Sequence, residues 1–353
     1  MFSLSLKKRD KNTAYCRIMQ YLCQKNYRMK NLLALGNALV DVLIRLDSEE
    51  LLTELGIAKG SMQLIDKDRF DHIQASLTSY KKQFASGGSA ANTIIGAATL
   101  GLPAAFIGKI ADDSNGAYFE KDMRQAGVET RLLKGQSASG TAFTFVSPDG
   151  ERSFATYLGA AAELRAEDML PEMFEGYTNL YVEGYLLQNY DLIRRILDLA
   201  KAAEMNIIWD LASYNIVEEH RAFLTETVLP RVDYLFSNEQ EAEVLTGAKA
   251  DEALDILAAK TKIAVVKTGA KGAMAKRGEE TARVPALKVN ALDTTGAGDL
   301  FASGFLYGLS MGLALDEATS IGNITAGNVV QVLGAKMDQA RWADIKNQIR
   351  SQL

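Results

Sequence analysis

Residues 289–312 read VNALDTTGAGDLFASGFLYGLSMG. The run from Leu300 onward has helical periodicity, yet it is introduced by Gly296, Ala297, Gly298 and then Asp299. Glycine in a helix interior costs about 1 kcal/mol relative to alanine, so helix stability alone does not account for the choice. The first turn of a helix presents unpaired N–H groups and the positive end of the dipole, which together suit an anion. Small residues let a phosphate come close to those N–H groups, and Gly296, Ala297 and Gly298 would supply that surface. Asp299 would then stand within reach of the group that receives the anion, where its carboxylate could take a proton from an attacking hydroxyl. An aspartate in a first turn is also favoured by the dipole alone, so the stretch by itself leaves a purely structural reading open.

The rest of the chain sets bounds. With 353 residues, 48% of them hydrophobic and 24% charged, it can bury a substantial core. No apolar run approaches the roughly 20 residues that cross a bilayer. A net charge of −5 and the lack of a basic patch with interleaved aromatics argue against nucleic acid as a partner. Cys16 and Cys23 both lie near the N-terminus and support neither a disulfide framework nor a cysteine metal site, so a cytoplasmic setting is expected. His72 and His220 supply little histidine chemistry. Residues 1–28 are basic and lack Gly and Pro, and their apolar part, IMQYLC, is shorter than the roughly 7–15 residues of a secretory signal. We expect a poorly ordered extension, with folding beginning near Met29; a helical, presequence-like or nucleic-acid-binding segment is the alternative.

Across residues 29–353, apolar strand-like runs at NLLALGN, AAFIGKI, NLYVEGY, NIIWDLA, DYLFSN and KIAVVKTG alternate with helical spacing over 66–84, 115–126, 191–204 and 250–260. Strands that are apolar throughout predict an α/β domain: a doubly wound, mostly parallel sheet with helices on both faces. Shorter alternating segments, with a hairpin signal at Pro148, Asp149 and Gly150, predict a small antiparallel sheet from residues around 37–47, 58–65 and 128–158. From Gly296 onward the chain reads as mostly helical. The first strand ends LALGNALVD, without the G-x-G-x-x-G dinucleotide fingerprint, and no G-x-x-x-x-G-K-[ST] occurs. A nucleotide, if bound, is held by another device.

DTTGAGDLFASGFL resembles the C-terminal signature of the ribokinase-like (PfkB) carbohydrate kinase family, and the likeness runs from about Leu32 to the C-terminus. The resemblance implies phosphoryl transfer from ATP, with Asp299 as the base and the amides of Gly296, Ala297 and Gly298 as the anion hole. In GNALVD it implies a substrate-gripping Asp41, assisted by Asn37. In GGSAANTIIGAATLG, Gly87, Gly88 and Ser89 would approach the substrate and Asn92 would hydrogen-bond it; a plain helix N-terminus with Ser89 as its cap is compatible with that role. SNEQEAEVLTG carries N-x-x-E as Asn238 and Glu241, which in the family organises Mg²⁺ and phosphates through water. KTGAKGAMAK would lie along the nucleotide with Thr268, Gly269 and Gly272, and Asn323 with residues 327–334 would line the adenine side. The residues matching Asp293 and Thr295 hold a monovalent cation in many relatives, which makes K⁺ a candidate.

DGERSFATYLGAAAEL resembles the adenosine kinase-like branch, in which the arginine matching Arg152 reaches toward the transferred phosphate. Leu39, Phe154, Leu158, Tyr185 and Leu186 are the candidates for a nucleobase slot; core packing would explain them equally. The acceptor is therefore expected to be a primary hydroxyl of an adenosine-like nucleoside, or of a sugar such as ribose or fructose. A silent sugar or nucleotide sensor and a dinucleotide-dependent oxidoreductase are remoter alternatives. The expected partners are small molecules, and the oligomeric state is expected to be monomer or homodimer.

Overall fold

Leu32–Leu35 are four apolar residues without exposed surface, and such a segment can only run between two covering layers. The computed structural model, which describes residues 29–352, places them at the heart of a large sheet; the extension expected over 1–28 lies outside the described residues. The strands in chain order are β1 (Leu32–Leu35), β2 (Leu39–Arg45), β3 (Met62–Leu64), β4 (Lys82–Gly87), β5 (Ala104–Ile110), β6 (Glu129–Lys134) and β7 (Gly140–Val146). They continue with β8 (Arg152–Tyr157), β9 (Asn179–Glu183), β10 (Asn206–Asp210), β11 (Tyr234–Asn238), β12 (Ile263–Lys267), β13 (Ala273–Arg277) and β14 (Glu280–Val284).

The large sheet is nine-stranded, in the order β14-β13-β12-β11-β10-β9-β1-β5-β6. It is parallel from β12 to β6, and β13 and β14 add an antiparallel margin. Alternate side chains of β1 enter opposite cores. Leu32 and Ala34 pack with Phe106, Tyr181 and Phe236 and with residues of helices Ser89–Leu100 and Ala297–Ser310. Leu33 and Leu35 join Ile107, Trp209 and Leu235 with residues of helix Tyr190–Ala202. Each fully buried leucine or phenylalanine contributes roughly 1.5–3 kcal/mol over its exposed state, so strand and helices stabilise one another. From β1 the sheet grows one way through β5 and the other way through β9, which opens a crevice at the carboxyl ends of β1 and β9.

The second sheet is five-stranded, β3-β8-β7-β2-β4, and it differs from the expected antiparallel sheet. β2 pairs parallel with β7 and β3 parallel with β8, whereas β2/β4 and β7/β8 are antiparallel. The long excursion through β5 and β6 brings the chain back to β2 in the same direction, as parallel pairing requires. Residues 129–134, expected in the small sheet, instead pair as β6 with β5 on the edge of the large one. The helical reading of 66–84 also needs correction. The helix ends at Ser76, and Lys82–Gly87 is β4, whose backbone is taken by β2 in the register Leu39↔Gly87. Among the described residues no helix is long and apolar enough to cross a membrane.

Candidate active site

Parallel register sets polar strand ends side by side. β9 ends at Glu183 level with Asp210, the end of β10, and β11 ends at Asn238 level with Lys267, the end of β12. A cavity of about 1010 Å³ opens over this edge, with the small sheet on one side and residues 286–301 on the other.

Gly296, with φ +75, turns the chain into helix Ala297–Ser310, and the turn directs the Ala297 N–H onto the Thr294 carbonyl at 3.1 Å. This corrects the expected anion hole: the Ala297 amide is occupied, and the N–H groups of Gly296, Gly298 and Asp299 are the ones without a partner among the described residues. Asp299 lines the cavity, and its carboxylate receives Ser89 Oγ at 2.7 Å and Asn92 Nδ2 at 2.9 Å. Ser89 is thus no cap; Gly88 occupies the cap position of helix Ser89–Leu100, and the Ser89 hydroxyl serves Asp299. Desolvation raises the Asp299 carboxyl to about 6, aided by the charge of Asp210 and opposed by the Asn92 and Ser89 hydrogen bonds and by Lys267. A carboxylate in that range can take a proton near neutral pH.

Asp41 stands on β2 and lines the cavity, and a side chain at Gly87 would collide with its carboxylate. Gly87 itself does not line the cavity; it makes room for Asp41. Desolvation first, and Asp299 second, push the Asp41 carboxyl up to about 7. Asn37 lines the cavity, but its N–H and Nδ2 both donate to Glu183 Oε1, at 2.8 and 2.7 Å, while Ala90 N–H donates to Glu183 Oε2 at 2.7 Å. Glu183 thereby joins the end of β1 to the start of helix Ser89–Leu100. Leu39, Phe154, Leu158 and Tyr185 line the same end of the cavity, with Met62, Leu64 and Ala142. Leu186 does not, because it turns into the core beside Leu187 and Leu192.

At the other end, Asn238 and Glu241 cap helix Glu239–Thr246 reciprocally, and both line the cavity. Gly269, Gly272 and Asn323 line it as well, although Asn323 Nδ2 is spent on the carbonyls of Val284 and Pro285. Thr268 is buried away from it, and its predecessor Lys267 faces the cavity instead. Gly327 and Val330 are the members of segment 327–334 on the wall.

Arg152 is where sequence and structure part most. It does not line the cavity; Nη1 lies 2.5 Å from Asp293 Oδ2 and 3.2 Å from Thr295 Oγ1. Asp293 Oδ1 also accepts the Thr295 N–H at 3.0 Å and the Thr295 hydroxyl at 2.9 Å, and Oδ2 accepts the Gly334 N–H at 2.5 Å. Both oxygens of this buried carboxylate are therefore engaged, which leaves the side chain no free acceptor site for a monovalent cation while the guanidinium is in place.

A model of the pfkB family carbohydrate kinases matches residues 57–341. The chain belongs to that family. Its curated relatives include the 5-dehydro-2-deoxygluconokinase of Shouchella clausii, 32% identical over 285 residues, which cover 75% of this chain and 86% of that protein. Among solved structures, the adenosine kinase of Sinorhizobium meliloti is similar with a TM-score of 0.79 at 37% identity, over 91% of this chain and 99% of that one. A probable sugar kinase of Rhizobium etli is similar with the same TM-score at 35% identity, over 91% and 99%. This pfkB kinase is thus a phosphotransferase with an alcohol acceptor that uses ATP. Mg²⁺, which ATP chemistry implies, favours oxygen ligands and keeps much of its water. Asp210, Asn238 and Glu241 offer oxygens on the cavity wall, and no group of three or more His, Cys, Asp or Glu forms a closed cage among the described residues. Carboxylate and amide oxygens are the hard donors that Mg²⁺ takes, so the residues present fit the ion. Glu183, Asp210 and Lys267 escaped the sequence reading; the signal available was a lone charged residue ending an otherwise apolar strand.

Proposed function

We propose that this kinase transfers the γ-phosphoryl group of ATP to a primary hydroxyl of an adenosine-like nucleoside, with Asp299 as general base. The observation that carries the acceptor class is the two-toned end of the cavity. Asp41, Asn92 and Asp299 line the cavity with polar atoms suited to a hydroxylated ring, while Leu39, Met62, Leu64, Phe154 and Leu158 form apolar walls. A ribose with a flat, weakly polar base matches both halves; a free sugar, hydroxylated all round, leaves the apolar half without a partner. The likeness to an adenosine kinase supports the same reading.

In this reading the small sheet acts as a lid that excludes water and so limits ATP hydrolysis. The Asp299 carboxylate, oriented by Ser89 and Asn92, accepts the hydroxyl proton as that oxygen attacks in line. The Gly298 and Asp299 N–H groups receive the charge that develops on the phosphoryl oxygens. Asp210, Asn238 and Glu241 would hold Mg²⁺, which would supply positive charge to the polyphosphate. Asp41 grips the ring hydroxyls, and Arg152 holds the loop before the helix through Asp293 and Thr295.

The test is ATP consumption by the purified protein across adenosine, other nucleosides, ribose, fructose and 5-dehydro-2-deoxygluconate. Adenosine should give the highest kcat/KM. A sugar in first place would overturn the acceptor, and no stimulation by any of them would overturn the activity. The identity to a 5-dehydro-2-deoxygluconokinase favours the sugar acid as the second reading.

A further inference from the structure

The walls of the cavity carry the carboxylates Asp41, Glu183, Asp210, Glu241 and Asp299, yet the cavity has to admit a polyphosphate. Two cations line it among the described residues, and Lys288 is exposed. The other, Lys267, ends the buried strand β12 with its side chain 15% exposed. Its Nζ donates to Asp210 Oδ2 at 3.0 Å, the single acceptor it has among the described residues. An ammonium has three N–H donors, so the remaining ones are available on the cavity side.

The position of that ammonium is specific. A Cβ placed on Gly298 would come within 3.1 Å of Lys267 Nζ, so the charge lies against the glycine whose N–H opens the anion hole. An oxygen that accepts from the Gly298 N–H comes within reach of the ammonium as well. Asp210 is itself fixed, through Oδ1, by the Ala212 N–H at 2.9 Å. The lysine is thus anchored from below by a rigid carboxylate, a preorganised charge of the kind that stabilises transferred phosphoryl groups.

We propose that Lys267 is a catalytic residue whose ammonium binds the non-bridging oxygens of the phosphoryl group in transit, with Asp210 as its positioning residue. The step is balanced: the acceptor oxygen bonds to the γ-phosphorus, the bond from that phosphorus to the β,γ-bridging oxygen breaks, the electron pair leaves with ADP, and the hydroxyl proton goes to Asp299. Lys267 stays protonated throughout and shares the charge on the phosphoryl oxygens. The alternative is a structural counter-ion that merely neutralises Asp210.

The inference rests on the kinase reading but not on the identity of the acceptor, so the test uses whichever acceptor the wild-type chain turns over fastest. Lys267→Met and Lys267→Arg are compared with the unaltered chain for kcat, acceptor KM and cooperative melting. Lys267→Met should lower kcat by at least about 100-fold, the scale on which a single transition-state donor acts, with acceptor KM within about 3-fold. Lys267→Arg keeps the cation beside Asp210 and should melt cooperatively with at least about 10-fold more turnover than Lys267→Met. A kcat within about 3-fold of wild type in Lys267→Met would make Lys267 a counter-ion only and overturn the proposal. A Lys267→Arg variant that melts like the wild type yet turns over no faster than Lys267→Met would overturn it equally. Failure of the acceptor reading appears separately, as adenosine losing to another acceptor on the unaltered chain.

Discussion

Asn92 Nδ2 donates to Asp299 Oδ2 at 2.9 Å across 207 positions of sequence. The bond joins the first turn of helix Ser89–Leu100 to the first turn of helix Ala297–Ser310, and Ser89 repeats it on the other carboxylate oxygen. Asp299 therefore sits between two helix N-termini, its orientation fixed by side chains from the far half of the chain.

Replacement of that carboxylate is the first expectation. Asp299→Asn should lower kcat by about 10²–10⁴-fold, the range of a lost general base, and leave ATP affinity within about 3-fold. Steady-state kinetics with equilibrium titration of ATP measure both; undiminished turnover would remove Asp299 from the chemistry.

The pH profile follows from its environment. Asp299 must be ionised to take the proton, and its carboxyl is raised to about 6, so kcat/KM should fall as pH drops through about 6. The Asn92 hydrogen bond favours the charged form and lowers that value. Asn92→Ala should therefore move the acid limb to higher pH. A limb that stays in place, or moves to lower pH, contradicts the assignment.

Glu183 is expected to matter for fold and site together. It accepts from Asn37 twice and from Ala90, and is 1% exposed. Glu183→Ala leaves three buried donors unpaired, at about 1–3 kcal/mol each where water does not replace the carboxylate. Chemical denaturation should show a loss of at least about 3 kcal/mol, and acceptor KM should rise because Asn37 is released. Glu183→Gln, with an oxygen still present for Asn37, should lose less on both counts.

Arg152 gives a prediction in the form of a salt effect. With the guanidinium on Asp293, turnover of the unaltered kinase should change by less than about 2-fold when K⁺ is exchanged for a bulky organic cation at equal ionic strength. Arg152→Ala exposes a buried carboxylate that lacks its cation. That variant should lose activity and regain part of it with K⁺. A strong K⁺ requirement in the wild type would show that Asp293 binds the ion and the arginine together, or the ion alone.

Much of the architecture was present in the sequence. Strand-like runs such as KIAVVKTG, apolar on both faces, specify a covered parallel sheet, because either face left in water would waste the burial. The Gly-Ala-Gly-Asp turn specifies an anion site, because glycine loses helix propensity unless close approach or positive φ requires it, and Gly296 has φ +75. These signals are short-range: periodicity, turn chemistry and capping are set by residues a few positions apart. The partners of the site's charges are not. Ser89 serves Asp299 rather than its own helix, Arg152 holds Asp293 rather than facing the cavity, and Lys267 stands under Gly298. Each of these depends on how the sheets and helices come to lie against one another, since a hydrogen bond or ion pair is decided at about 3 Å. Sequence determined the layers and the reactive turn; the packing of those layers decided which charge answers which.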